Sequence, residues 1–172
     1  EYLIISPQVP EHFTKELLKK IKKGAFPHKM VETAHKIIDA NILLSQTVLL
    51  GIGGTEMSEV HAIDTGKLLG EMSADYASAL TVMLLPNTEL YREYRQGTFK
   101  LPDKFGMLKE LKLIVENMDV HRPCFFASNH ASNYLPIRAT LPDEKEKIVS
   151  LINSVIEKKN DGVLRPEFMR AL

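Results

Sequence analysis

The sequence has little cysteine, no long apolar run and no excess of charge of either sign. Cys124 is the only cysteine among 172 residues, so the chain alone can build neither a disulfide framework nor a thiolate metal site. No apolar run approaches the roughly 20 residues of a membrane-spanning helix. Lys plus Arg and Asp plus Glu number 22 each, which gives no sign of a nucleic-acid-binding surface. We therefore expect a globular protein of a reducing compartment, the cytoplasm, with neither a membrane nor a nucleic acid as partner.

The start of the sequence also lacks two common features. It has no initial Met and no signal-peptide pattern, and it opens on an apolar run over residues 2–5. Because natural domains seldom begin inside a buried strand, we expect the chain to be a fragment of a longer protein. The length suits one domain with a sizeable core, so we predict a single domain over residues 1–172.

Short apolar runs alternate with segments of helical periodicity. The apolar runs predict strands near residues 2–6, 46–52, 78–85 and 123–128. The periodic segments predict helices near residues 28–39, 58–72, 88–95 and 103–117, and from 142 onward. Ser58 and Thr88 are predicted N-caps, because a hydroxyl can accept from a free amide of the first turn. Strands apolar on both faces and separated by helices predict an α/β fold with a parallel sheet.

The most unusual local sequences follow the predicted strands. Parallel α/β proteins bind ligands at the carboxyl ends of their strands, so these segments predict one site at one edge of the sheet. The segments are residues 6–8, 51–56, 85–88 and 128–133.

The glycine-rich segment 51–56 (GIGGTE) comes directly off a strand. Glycines there let the backbone approach a flat ligand or adopt a positive φ, and they expose amides that favour anions. A tight turn without any ligand explains the glycines about equally well. The spacing matches neither the dinucleotide fingerprint nor the phosphate-binding P-loop.

The segment 128–136 (SNHASNYLP) carries more polar side chains than a connection needs. His130 can transfer protons, and the Asn129 and Asn133 amides offer donors and acceptors to a polar ligand. The alternative is a turn in which Asn and Ser bond their own backbone, which we favour for Ser132. Cys124 lies in a predicted strand and is expected to be an inert core thiol.

An ordered series of motifs resembles the radical S-adenosylmethionine (SAM) enzymes. Residues 50–59 (LGIGGTEMSE) resemble the G-x-I-x-G-x-x-E-type motif of their fifth strand. Residues 80–91 and 97–99 resemble their sixth strand and the Pro-Gly-Thr-x-Leu-Tyr turn, with Asn87 in place of the turn glycine. Segments 128–136, 141–143 and 164–167 are similar to the tail of one subgroup, the Fe–S oxidoreductases related to oxygen-independent coproporphyrinogen oxidase.

The resemblance implies a fold, a cofactor and a chemistry. The fold would be part of an open TIM-like barrel of parallel β/α units, of which this chain is the carboxyl-terminal half with a helical extension over about residues 137–172. Members hold a 4Fe–4S cluster through Cys-x-x-x-Cys-x-x-Cys, and electron transfer to SAM yields a 5′-deoxyadenosyl radical that abstracts hydrogen from substrate. The chain lacks this cysteine motif, so we expect the cluster ligands in a missing amino-terminal half and no activity from this fragment alone.

The resemblance also assigns site residues. It implies cofactor contacts at Gly51, Ile52, Gly53, Gly54, Glu56 and Leu85. The polar segment is then expected on the substrate side, through Asn129, His130 and Asn133. The expected partners are the missing half of the barrel and, through the open sheet edge, a second copy of the chain. Two other readings stay open: a non-catalytic α/β binding module whose glycine turn holds a nucleotide or another anion, and a structural fragment without a site.

Overall fold

Four strands form one open sheet, in the order β1-β2-β3-β4, within residues 26–171, which are those that the computed structural model describes. β1, β2 and β3 are parallel, and β4 runs antiparallel to β3. The register places Ser45 beside Tyr76, and Tyr76 beside Phe125. The strands are Ser45–Leu50 (β1), Tyr76–Thr81 (β2), Cys124–Ala127 (β3) and Arg138–Leu141 (β4).

Three of the predicted parallel strands are confirmed as β1, β2 and β3. β2 is displaced toward the amino terminus and ends at Thr81, so Leu85 lies four residues beyond its last residue. The strand predicted near residues 2–6 lies outside the described residues. β4 was not predicted, because its four residues alternate Arg138 and Thr140 outward with Ala139 and Leu141 inward and so lack an apolar run. The expected helical extension therefore begins with a strand.

Within residues 26–171, five helices connect and cover the strands. Their positions agree with the predicted helices, apart from the ends. The helices are Pro27–Asp39 (α1), Gly54–Met72 (α2), Glu89–Gln96 (α3), Lys104–Glu116 (α4) and Lys145–Glu157 (α5), and two 3-10 turns follow at Asp161–Val163 and Glu167–Met169.

One of the two predicted N-caps is confirmed. Thr88 accepts a hydrogen bond from the Tyr91 amide at the start of α3. The prediction for Ser58 is wrong, because α2 begins four residues earlier with Gly53 in the N-cap position. The hydroxyl of Ser58 instead donates to the Glu110 carboxylate at 2.6 Å.

In the described part of the chain, helices cover one face of the sheet. Side chains along each strand alternate between buried and more exposed, and the buried ones join residues of α2, α4 and α5 in one core. The expectation of strands apolar on both faces is therefore wrong, whereas the predicted helical cover of one side is confirmed. The opposite face presents Ser45, Thr47, Tyr76, Ser78, Phe125 and Arg138, which are half-buried or exposed.

Candidate functional site at the carboxyl edge of the sheet

The loops after β1, β2 and β3 leave the sheet at the same edge, because the three strands are parallel neighbours. Leu50 pairs with Thr81, so the glycine turn and the segment after β2 begin side by side. The polar loop after β3 reaches Thr81 directly: the Thr81 amide donates to Ser132 Oγ at 3.2 Å, and its hydroxyl donates to Asn133 Oδ1 at 2.8 Å. Sequence segments more than 45 residues apart thus meet at this edge.

The glycine turn is packed tightly against protein on two sides. Gly51 and Gly54 have φ values of 82° and 65°, which favour glycine. A Cβ added to Gly51 would lie 2.3 Å from the Met107 methyl carbon, and one added to Gly54 would lie 2.9 Å from the Phe99 ring. The turn geometry and the packing of Met107 and Phe99 therefore explain these two glycines without a ligand.

A buried carboxylate fixes this turn. Glu110 of α4 is fully buried, and its two oxygens accept hydrogen bonds from the Gly51 amide and the Ser58 hydroxyl, each at 2.6 Å. Burial raises the pKa of Glu110 from its usual 4.5 to about 7, and the two hydrogen bonds oppose that rise. Glu110 joins the end of β1, the first turns of α2 and the middle of α4.

The amides of the turn are only partly free. The Gly51 amide donates to Glu110, the Gly54 amide to the Gly51 carbonyl at 3.1 Å, and the Thr55 amide to the Lys100 carbonyl at 2.8 Å. Within residues 26–171 the amides of Ile52 and Gly53 donate to no acceptor. Any ligand at this turn would therefore use the backbone of these two residues.

Two other predicted cofactor residues lie at the same edge but are not joined to the turn. Glu56 is exposed in the first turn of α2, where its charge suits the helix dipole. Leu85 is 41% exposed in the segment between β2 and α3. It is a large apolar side chain left in solvent four residues after the end of β2.

Asn133 is buried and its amide group is fully used. Nδ2 donates to the carbonyls of Ala79 and Ser128 at 2.7 and 2.9 Å, and Oδ1 accepts from the Thr81 hydroxyl. With 2% of its surface exposed, Asn133 holds the polar loop onto the end of β2. The structure therefore gives this residue a positioning role.

His130 is exposed, and its ring is oriented by Ser132. The Ser132 amide donates to Nδ1 at 3.2 Å, and Ser132 Oγ lies 3.0 Å from the same nitrogen. Since Oγ already accepts from the Thr81 amide, its own proton is available for Nδ1. Ser132, expected only to cap its own backbone, instead links the histidine to β2.

Asn129 contacts an arginine of the neighbouring strand. With the carboxamide oriented so that its oxygen faces the guanidinium, it accepts from Arg138 Nε at 3.1 Å and from NH2 at 2.7 Å. Arg138 pairs with Ala127 at the end of β3, and both Asn129 and Arg138 are exposed. An exposed Asn–Arg pair thus lies beside His130.

The carboxyl-terminal segment closes over the polar loop. Arg165 NH1 donates to the carbonyls of His130, Ala131 and Asn133 at 2.7 to 3.0 Å. Arg170, nearly buried, donates through Nε to the Ser132 carbonyl at 2.7 Å and lies over the Tyr134 ring, 4.1 Å from its centroid. Two arginines therefore fix the loop that carries His130.

Sequence reasoning missed Glu110 and the three arginines around the loop. A signal existed for Glu110, which stands on the stripe formed by Met107, Leu111 and Ile114, where a carboxylate requires a partner. No local pattern distinguishes Arg138, Arg165 and Arg170, because their acceptors are mostly backbone carbonyls far away in the sequence.

The described residues contain no group of three His, Cys, Asp or Glu side chains that could hold a metal ion. Cys124 is buried in β3, as expected of a core thiol, and burial raises its pKa to about 12. His61 is also packed: it lies fully buried on α2, 3.1 Å from the Leu49 carbonyl.

Comparisons of the chain with protein-family models, with curated proteins and with solved structures gave no match. Among residues 26–171, no helix combines the length and the apolar character needed to cross a bilayer.

Proposed function

We propose that this chain is the carboxyl-terminal half of a radical SAM enzyme, in which it supplies part of the cofactor pocket and the substrate side of the active site. The observation that carries the proposal is the meeting of three sequence motifs at one sheet edge: the glycine turn after β1, the segment after β2 and the polar loop after β3. These are the segments through which the sequence resembles that family, and they occupy the edge where parallel α/β enzymes bind ligands.

The sheet topology supports part of an open TIM-like barrel. Strands β1 to β3 follow one another in sequence order, and the core formed by residues 26–171 lies on one face. A doubly wound sheet would reverse its strand order and place helices on both faces. Consecutive parallel strands with helices on one face are what a barrel wall requires, with the other face directed to the interior.

The free amides of Ile52 and Gly53 suit the adenine edge of SAM, which needs backbone donors. Leu85, exposed at the same edge, would flank the ring. Bound SAM and a 4Fe–4S cluster would supply a radical for hydrogen abstraction, and the cluster ligands would come from a preceding segment. The described residues would position the cofactor and substrate and exclude water.

The open sheet face supports a partner in the whole protein. Tyr76 and Phe125 are 45% and 41% exposed there, and their rings meet edge to face with centroids 6.3 Å apart. An exposed aromatic pair on a sheet marks a surface that another element covers. In the proposal, the amino-terminal half of the barrel covers this face, and a second copy of the chain takes its place when the half is absent.

The alternative, an anion-binding module, has less support. An anion at the start of α2 needs several free amides, but three amides of this region are taken by Glu110 and by the carbonyls of Gly51 and Lys100. The side chain of Glu110 already accepts from the first of these amides, that of Gly51. The two free amides, those of Ile52 and Gly53, suit hydrogen bonds to the edge of a neutral ring better than the several hydrogen bonds that a phosphate requires.

The first test is chemical reconstitution of the parent protein. We expect its reading frame to encode Cys-x-x-x-Cys-x-x-Cys within about 150 residues, one domain, before this chain. The anaerobically reconstituted protein should show a 4Fe–4S spectrum and cleave SAM to 5′-deoxyadenosine under reducing conditions. A complete reading frame without this motif would remove the enzyme assignment.

A second test concerns the glycine turn. Gly53→Ala in the complete protein should weaken SAM binding about tenfold, the loss expected for one displaced hydrogen-bonding contact of about 1.4 kcal/mol. An added Cβ would lie 3.1 Å from the Met57 Cβ, which a small shift can relieve. Calorimetric titration with SAM measures the affinity, and thermal unfolding monitored by circular dichroism checks the fold.

Gly162→Ala is the matched control, because its added Cβ would lie 3.4 Å from Asn160 Oδ1 at the far end of the chain. It should bind SAM as the unsubstituted protein does. Normal SAM affinity of a folded Gly53→Ala variant would show that the turn does not hold the cofactor.

A further inference from the structure

The tautomer of His130 is set by its neighbours. A backbone amide can only donate, so the hydrogen bond from the Ser132 amide makes Nδ1 an acceptor. The Ser132 hydroxyl, which accepts from Thr81, can donate to Nδ1 as well. The neutral ring therefore carries its proton on Nε2, and the exposed side of His130 offers a hydrogen-bond donor.

Three arginines contact the loop that carries this donor: Arg165 and Arg170 through backbone carbonyls, and Arg138 through the Asn129 side chain. Within residues 26–171, only Arg170 of the three arginines around the loop pairs with a carboxylate, that of Glu167 at 2.5 Å. Arg165 donates through NH1 to three backbone carbonyls of the loop. These carbonyls orient the guanidinium but, being uncharged, do not neutralise the charge of Arg165. Arg138 is oriented by Asn129 and keeps its full charge at the exposed edge.

This donor set is preorganised. Ser132 is 1% exposed and is fixed through Thr81 of β2, whereas Arg138 is fixed by β4 and by the Asn129 amide. Asn129 takes the Nε and NH2 side of the guanidinium, which leaves NH1 and the second N–H of NH2 for a carboxylate or phosphate, bound through charge-assisted hydrogen bonds. Preorganised donors lose little side-chain entropy when a ligand binds.

We propose that the loop over residues 128–134 and Arg138 form an oxyanion-recognition site for a small molecule, in which Arg138 supplies the charge and His130 donates through Nε2–H. The ligand group is a carboxylate or a phosphate. The other ring nitrogen of His130, Nδ1, is engaged by Ser132. In the proposed enzyme this group belongs to the substrate, so the assignment of the substrate class rests on the proposed function.

The tautomer is tested first by nitrogen-15 NMR of the chain in mildly alkaline buffer. Long-range correlations of the His130 ring should place the proton on Nε2. Ser132→Ala removes the hydroxyl contact but keeps the amide donor, so the proton should stay on Nε2 in this variant as well. A proton on Nδ1 in the unsubstituted chain would overturn the assignment of His130 as the donor.

Binding is tested with acetate, inorganic phosphate and acetamide, a neutral analogue of acetate, at low salt. Either anion, or both, should shift the signals of His130 and of the Arg138 side chain in a saturable way, and the stronger of the two identifies a carboxylate or a phosphate ligand. Acetamide should produce no saturable shift. Saturable shifts of equal size with acetamide and with acetate would contradict the proposed oxyanion site.

Variants then measure the contributions of Arg138 and His130 to anion binding one at a time. Arg138→Gln and His130→Ala should each weaken anion binding about tenfold, the effect of one charge-assisted hydrogen bond. Arg92→Gln, at an exposed position of α3, is the matched control and should leave binding unchanged. His130→Gln, whose amide can donate from nearly the same position, should bind better than His130→Ala.

Equal losses in Arg92→Gln and Arg138→Gln would show a general charge effect and would overturn the site. These measurements need neither cluster nor SAM. Their failure would leave the radical SAM proposal standing, and failure of SAM cleavage in the parent protein would leave the oxyanion site standing.

Discussion

Glu110→Gln should stabilise the protein at neutral pH, and the gain should disappear in mild acid. The pKa of Glu110 is raised in the folded chain to about 7 from its usual 4.5, so folding takes up a proton between these two values. Between pH 4.5 and about 7 the folded chain holds this proton more tightly than the unfolded chain does, so the free energy of unfolding falls as the pH rises. Above about pH 7 the loss is complete. Since one pKa unit corresponds to about 1.4 kcal/mol, the loss is on the order of 3 kcal/mol.

Glutamine reproduces the protonated carboxyl. Its amide oxygen can accept from the Gly51 amide, and its NH2 group can donate to the Ser58 hydroxyl, so both contacts persist without a buried charge. The difference in unfolding free energy between the variant and the unsubstituted chain should therefore grow across the pH window.

Urea denaturation at a series of pH values measures this difference. Glu59→Gln is the matched control: it makes the same change at an exposed position of α2, where there is no buried charge to remove. Parallel stability curves for the unsubstituted chain and Glu110→Gln would contradict the assignment of a buried, neutralised carboxyl.

Asn133→Ala should destabilise the protein by about 2–4 kcal/mol, because it leaves three buried partners without a hydrogen bond. The Ala79 and Ser128 carbonyls lose their donor, and the Thr81 hydroxyl loses its acceptor. All three residues are buried, so water cannot readily replace the amide. The loop should also open more often at the end of β2, where the Ser132 contact to the Thr81 amide remains.

Thermal and urea unfolding of the chain measure the loss, and hydrogen exchange at the Thr81 amide reports whether the loop remains attached. Asn129→Ala is the control in the same loop, since Asn129 is exposed and, among residues 26–171, its side chain bonds Arg138 alone. It should change stability by about 0.5 kcal/mol or less. Equal effects of the two substitutions would mean that Asn133 is not the anchor of the loop.

The glycine turn and the polar loop show how far sequence reasoning reached. Their placement at the ends of strands followed from local patterns, because an apolar run ending in Gly or Asn marks a strand and its turn. The roles of individual side chains did not follow. Asn133 and Asn129 belong to one residue type and one loop, yet one is 2% exposed and saturated by β2, whereas the other faces solvent beside Arg138.

The sequence by itself determined the helices and the three parallel strands among residues 26–171, because helix and strand periodicity and caps such as Thr88 depend on neighbours a few residues away. Only the tertiary structure decided the partners at the site. Gly51 meets Glu110 across 59 residues and Thr81 meets Asn133 across 52, and no local pattern encodes such pairs. The tertiary structure also decided the short strand β4, because Arg138–Leu141 becomes a strand by pairing with β3. Buried polar groups require a partner, and folding selects that partner from the whole chain.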